Sequence, residues 1–67
     1  MNHEYLAEME QSMLDTMQAM QDEIAALEIS DFANSEEYMK RVREIEEKYK
    51  DHLAIQEAEL NKAIANN

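Results

Sequence analysis

The sequence contains no cysteine, glycine, proline or tryptophan, and it has a single phenylalanine. Without cysteine there is no disulfide and no thiolate metal site, which favours a reducing compartment such as the cytoplasm. Glycine and proline are the usual residues of turns, so their absence argues against all-β and α/β folds. Without glycine there is also no phosphate-binding loop, dinucleotide fingerprint or EF-hand loop.

Basic residues are missing from the first half of the chain. No lysine or arginine precedes Lys40, and the net charge of the 67 residues is −10. An acidic chain repels phosphate backbones and anionic lipids, so we expect no direct nucleic-acid binding and no membrane binding. There is no basic start followed by a long apolar run, so we expect no cleaved secretion signal and a soluble, cytoplasmic protein.

Residues able to carry out enzyme chemistry are scarce. His3 is expected to be exposed in a frayed start, and His52 is expected at the boundary of an apolar stripe. Tyr49 stands three residues before His52, where the Glu-x-x-His pair of di-iron bundles would need a glutamate. No serine has a plausible adjacent base. The sequence therefore predicts no enzyme activity, no cofactor and no metal site.

Alanine, glutamate, methionine, leucine and lysine are frequent, and all of them favour helices. Seven apolar residues recur at spacings of 3 or 4, which places them within roughly 80° of arc on a helix. We call them the first stripe: Leu6, Met9, Met13, Met17, Met20, Ile24 and Leu27. Tyr5 and Leu14 widen it on opposite sides. The pattern predicts a helix over about residues 4–28.

Residues 29–34 form the poorest helix-forming run and are predicted to be a turn. Glu37 stands three residues after Asn34, as in a capping box with asparagine in the first position, so Asn34 should be the N-cap of a second helix over about residues 35–65. Phe32 is expected to fold back over the end of the bundle. One unbroken helix about 90 Å long is the alternative.

A second stripe follows the turn: Tyr38, Val42, Ile45, Tyr49, Leu53, Leu60 and Ile64, with Gln56 in its gap. Ile55 lies well outside this stripe. It is interpreted either as an ordinary exposed apolar residue or as part of a second contact surface.

The distribution of charge favours an antiparallel arrangement, because the bases cluster in residues 40–50, opposite the acids of the first helix. A turn centred near residues 31–32 would place Lys40 near Glu23 and Lys48 near Asp15. We therefore predict an all-α fold: one antiparallel two-helix hairpin domain over residues 1–67. Tyr5 and Leu14 make the first face broader than a two-stranded coiled-coil seam, and a lone helix pair covers only part of each stripe. The hairpin should therefore complete a four-helix bundle by self-association or by packing on a partner.

The leading functional hypothesis is a small adaptor, co-chaperone or assembly factor that binds another protein, or itself as a homo- or hetero-oligomer, through its apolar faces. Methionine is unbranched and can repack around different partners, although it is also an ordinary core residue. The predicted partner-binding residues are Leu6, Met9, Met13, Met17, Met20, Ile24, Leu27, Tyr38, Val42, Ile45, Tyr49, Leu53 and Leu60.

The chain length, the acidic glycine-free helix pair and the start of the second helix, Asn34-Ser35-Glu36-Glu37-Tyr38, resemble the small needle-subunit co-chaperones of type III secretion systems. The resemblance implies a cytoplasmic protein that shields an aggregation-prone secreted subunit together with a second chaperone. The helical-hairpin needle proteins are a neighbouring possibility, but they usually have a proline in the turn and this chain has none.

Two other hypotheses remain. Carboxylates along a helix can imitate phosphates, so the chain could inhibit a nucleic-acid-binding protein. The candidate residues for this mimicry are Glu4, Glu8, Asp15, Asp22 and Glu28. The chain could instead be a purely structural homo-oligomer, natural or designed.

Overall fold

The computed structural model describes residues 3–66. Helix α1 (His3–Ala25) is followed by a short 3-10 turn (Ile29–Asp31) and helix α2 (Ser35–Ala65), and residues 3–66 include no strand. The helices pack against each other in an antiparallel hairpin that measures 52 × 16 × 10 Å. The prediction of an all-helical hairpin is confirmed, and the single unbroken helix is wrong. His3 is helical and exposed, whereas a frayed start was expected; Met1 and Asn2 lie outside the described residues.

Helix α1 ends at Ala25, before the predicted end near Glu28. The last α-type bond runs from the Ala26 N–H to the carbonyl of Asp22, and the Leu27 N–H then bonds to the carbonyl of Ile24. Such i to i−3 bonds tighten the last turn of a helix, whose final carbonyls lack regular partners. Glu28 has an extended backbone (φ −113°, ψ 124°), so the chain leaves the helix before the run of poor helix formers begins.

Helix α2 begins at the cap that the sequence predicts. The side-chain oxygen of Asn34 accepts a 2.9 Å hydrogen bond from the backbone N–H of Glu37. This bond satisfies one of the free amides at the helix start. Just before it, the Phe32 ring packs edge-on against the Tyr38 ring with centroids 5.6 Å apart. The connection is therefore held against the first turns of α2.

The register of the hairpin differs from the predicted one. Glu23 pairs with Lys48 rather than Lys40, and Lys48 consequently does not meet Asp15. The prediction centred a turn near residues 31–32, but the connection runs from the end of α1 at Ala25 to the start of α2 at Ser35 and is extended at Glu28, Phe32 and Asn34. It therefore carries the start of α2 beyond the end of α1. The first turns of α2 contact the connection, and α1 lies beside later turns.

The core of this hairpin is small. Ile45 of α2 is the only fully buried residue among residues 3–66, with 1% of its surface exposed. Two helices alone can cover only one side of each apolar stripe, so the remaining stripe residues stay partly in contact with water.

Candidate protein-binding face

The first stripe is only partly covered by α2. All seven of its residues, from Leu6 to Leu27, are half-buried, and none is fully buried. Leu27 belongs to the connection rather than to α1, but it keeps the same degree of burial. The structure thus places the predicted residues on one face that α2 does not fully cover.

The second stripe has the same character. Tyr38, Val42, Tyr49, Leu53 and Leu60 are half-buried, as is the predicted gap residue, Gln56. Ile64, expected in the stripe, is 52% exposed, and Ala63 is half-buried in its place. Seven residues fall slightly short of two full turns of a straight helix, so over several turns the stripe rotates around α2. Ile64 therefore leaves the contact with α1.

Large apolar side chains extend this face on both flanks. Tyr5 and Leu14, predicted to widen the first stripe, are both about half exposed, and Ile55 is 58% exposed. Tyr5 and Ile55 line the same side of the hairpin, which faces away from Leu14. Ile55 is exposed, as both interpretations of the sequence require, and it lines a groove together with Tyr5.

A polar cluster that the sequence did not predict joins the helices near the turn. Tyr49 donates its hydroxyl to a carboxylate oxygen of Glu23. The ammonium of Lys48 donates to both oxygens of the same carboxylate at 3.0 and 3.1 Å, and it lies 5.2 Å from the centroid of the Tyr49 ring. No local spacing signals this cluster, because it depends on the register between two helices.

The cluster changes the acidity of its members. The hydrogen bond from Tyr49, and secondarily that from Lys48, holds the pKa of the Glu23 carboxyl below its usual value. The bond to Glu23 and partial burial raise the pKa of Tyr49. The bond to Glu23 likewise raises the pKa of Lys48. All three shifts favour an ionised Glu23, a neutral Tyr49 and a protonated Lys48, which are the forms that make these hydrogen bonds between the helices.

A second polar contact lies farther from the turn. The Gln56 side-chain NH2 donates to the Ser12 hydroxyl at 3.2 Å. The other amide atom, the oxygen Oε1, is buried and has no hydrogen-bond partner. Buried acceptors normally have a partner, so this oxygen is an exception among the described side chains.

A groove of about 410 Å³ opens between the helices at this point. Its walls include Tyr5, Met9 and Ser12 of α1 and His52, Ile55 and Gln56 of α2. Glu8 and Glu59, one from each helix, also line it. His52 is exposed here, and it borders the apolar stripe as predicted.

The acidic residues considered for phosphate mimicry, Glu4, Glu8, Asp15, Asp22 and Glu28, are all exposed.

Within residues 3–66, no group of three or more histidine, cysteine or acidic side chains could hold a metal ion. Across the same residues, neither helix combines the length and the apolar character that crossing a membrane requires.

No family model, curated protein or solved structure matches this chain. Any functional conclusion therefore depends on the exposed surfaces of the hairpin itself.

Proposed function

We propose that this protein is a non-enzymatic protein-interaction module, acting as a small adaptor, co-chaperone or assembly factor. The observation that supports this function is the partial exposure of every residue of the first stripe, in a hairpin where Ile45 is the only fully buried residue among residues 3–66. Contiguous apolar surface on a small protein commonly marks a binding site. The methionines of the stripe suit this role because they adapt to the shape of a partner.

The face becomes covered when further helices pack on it. A second hairpin or the helices of a partner would complete a four-helix bundle, which buries the inner face of each helix. The resemblance to needle-subunit co-chaperones is compatible with the second route. It would place the complex in the cytoplasm, with the hairpin shielding a secreted subunit. The first route predicts that the purified protein sediments as an oligomer, and not as a cooperatively folded monomer, at micromolar concentration.

Methionine oxidation tests the proposal directly. Peroxide converts exposed methionine to the sulfoxide, and burial slows the reaction. We call the assembly that this protein forms in its own cell the native particle. In the native particle, Met13, Met17 and Met20 should be oxidised several-fold more slowly than in the dilute purified chain, because the partner removes their access to solvent. Met39 is an internal control because it is 44% exposed and lies outside both stripes.

If the three stripe methionines, measured relative to Met39, react as fast in the native particle as in the dilute purified chain, the face is open and the proposal is wrong. Substitution of the stripe separates it from the phosphate-mimic alternative. Met13→Ala with Met17→Ala should weaken binding through the apolar face, whereas a phosphate mimic that binds through its carboxylates should be unaffected.

A further inference from the structure

The basic residues of the hairpin are divided unequally between its two ends. We define the open half as residues 3–15 together with 52–66, and the turn half as residues 16–51. The three ion pairs of the described chain are Lys48–Glu23, Arg41–Glu44 and Lys50–Glu47, and all of them lie in the turn half. The open half contains Glu4, Glu8, Glu10, Asp15, Glu57 and Glu59 but only one lysine or arginine, Lys62, besides His3 and His52.

The groove lies in this open half. It combines apolar walls from Met9, Tyr5 and Ile55 with carboxylates from Glu8 and Glu59. An occupant that matches both features needs an apolar surface with cationic groups beside it.

We propose that the groove binds a basic amphipathic helix of a partner protein, one that carries lysine or arginine beside an apolar stripe. This inference rests on the proposed function and specifies the partner's chemistry. A third helix fits between two antiparallel helices, and such helices are recognised through regularly spaced apolar anchors. The long stems of lysine and arginine cover apolar surface while their charged ends reach carboxylates such as Glu8 and Glu59.

Charge argues against a second copy of this chain as the occupant. A second copy brings a net charge of −10 to the contact, and its open half has the same excess of carboxylates. Like charges that face each other across an interface oppose association. A basic helix instead neutralises carboxylates that have no ion pair within the hairpin.

The experiment uses two synthetic amphipathic helices of about 18 residues, or five turns, with the same leucine face. One has lysine on its polar face and the other has glutamate. Their binding to the full-length chain is measured by fluorescence anisotropy. The lysine peptide should bind at least about tenfold more tightly than the glutamate peptide at low salt, and added salt should reduce the difference.

Paired substitutions locate the site. Glu8→Gln with Glu59→Gln should weaken binding of the lysine peptide at least about fivefold, because both carboxylates line the groove. Glu10→Gln with Glu57→Gln is the matched control. Each control residue is two positions from its counterpart, which turns it by about 160° to the other side of the helix. The control pair should change affinity less than about twofold.

The apolar part of the site has its own pair of variants. Ile55→Ser should weaken peptide binding, whereas Ile64→Ser should not, although the two isoleucines are similarly exposed at 58% and 52%. Circular dichroism of all variants checks that the helices remain formed. Equal losses in both carboxylate pairs would show diffuse attraction by net charge and overturn the inference, as would equal binding of the two peptides or no binding of either.

Sedimentation identifies the competing occupant. If the wild-type chain is dimeric and Ile55→Ser, but not Ile64→Ser, dissociates the dimer, a second copy fills the groove and the basic-helix inference is wrong. Protection of Met13, Met17 and Met20 in the native particle would still support the proposed function in that case. The two proposals can therefore fail independently.

Discussion

Tyr49 of α2 donates its hydroxyl to the Glu23 carboxylate of α1, beside the two hydrogen bonds from Lys48. Directional contacts of this kind distinguish one helix register from others that bury similar apolar area. Ser12 and Gln56 form the second such contact, toward the open end. The hairpin thus combines an apolar stripe that would allow several helix registers with two polar contacts that select one.

Acid should weaken the hairpin through Glu23. Its pKa is lowered in the fold, from an ordinary value of 4.5, by the bonds from Tyr49 and Lys48. A carboxyl with a lowered folded pKa stabilises the protein above its unfolded pKa, and this stabilisation is lost as pH falls through the folded pKa. The thermal unfolding midpoint should fall when the pH is lowered from neutral to below 4.5, and Glu23→Gln should make this fall smaller. Glu36→Gln, at an exposed site, should keep the wild-type slope.

Alkali should weaken the same cluster through Tyr49. Its pKa is raised in the fold above the ordinary value of 10.0, mainly by the hydrogen bond to Glu23. The contribution is complete below the unfolded pKa and is lost as pH rises through the folded pKa. Tyr49→Phe should lower the midpoint at neutral pH and flatten its alkaline decline. Tyr38→Phe is the control because the Tyr38 hydroxyl bonds to no described residue; an equal effect would contradict the assignment.

Ile45 should dominate the stability of the hairpin core. It is 1% exposed, whereas Ile55 on the same helix is 58% exposed. Ile45→Ala should reduce the free energy of unfolding by about 2–5 kcal/mol, the usual range for a buried isoleucine. Ile55→Ala should change it by about 0.5 kcal/mol or less, as surface substitutions do. Urea titration at one fixed protein concentration measures both, and comparable losses would mean that Ile55 is covered in solution.

The Asn34 cap should make a separate contribution at the start of α2. Its side chain bonds to the Glu37 N–H at 2.9 Å. Asn34→Ala should cost about 1 kcal/mol of unfolding free energy, and Asn34→Asp should retain most of that. Asn61→Ala, inside α2 and exposed, is the control. If asparagine removal at 34 and at 61 had the same effect, the cap would have no energetic role.

Distance measurements can test the hairpin in solution. The native chain has no cysteine, so Glu8→Cys with Ala58→Cys gives two unique label sites. Packed helices lie about 8–10 Å apart, so the labels should be within roughly 25 Å of each other. An unbroken helix would separate them by about 75 Å. Dilution with unlabelled protein removes distances between chains, and a remaining distance near the longer value would refute the hairpin.

The amino-acid sequence by itself determined the local features of this protein. The spacing from Leu6 to Leu27 predicts the half-buried face, because side chains three or four residues apart share one side of a helix. Asn34 could be identified as the N-cap because the cap bond joins residues three apart in the chain.

Only the tertiary structure decided the register. Glu23 meets Lys48, and Ser12 meets Gln56, because the extended connection shifts α2 along α1. That shift depends on how two helices that are distant in the sequence pack together, and no local propensity encodes it. The same shift brings Tyr5 and Ile55 to one groove, which is why the sequence alone could not locate this groove.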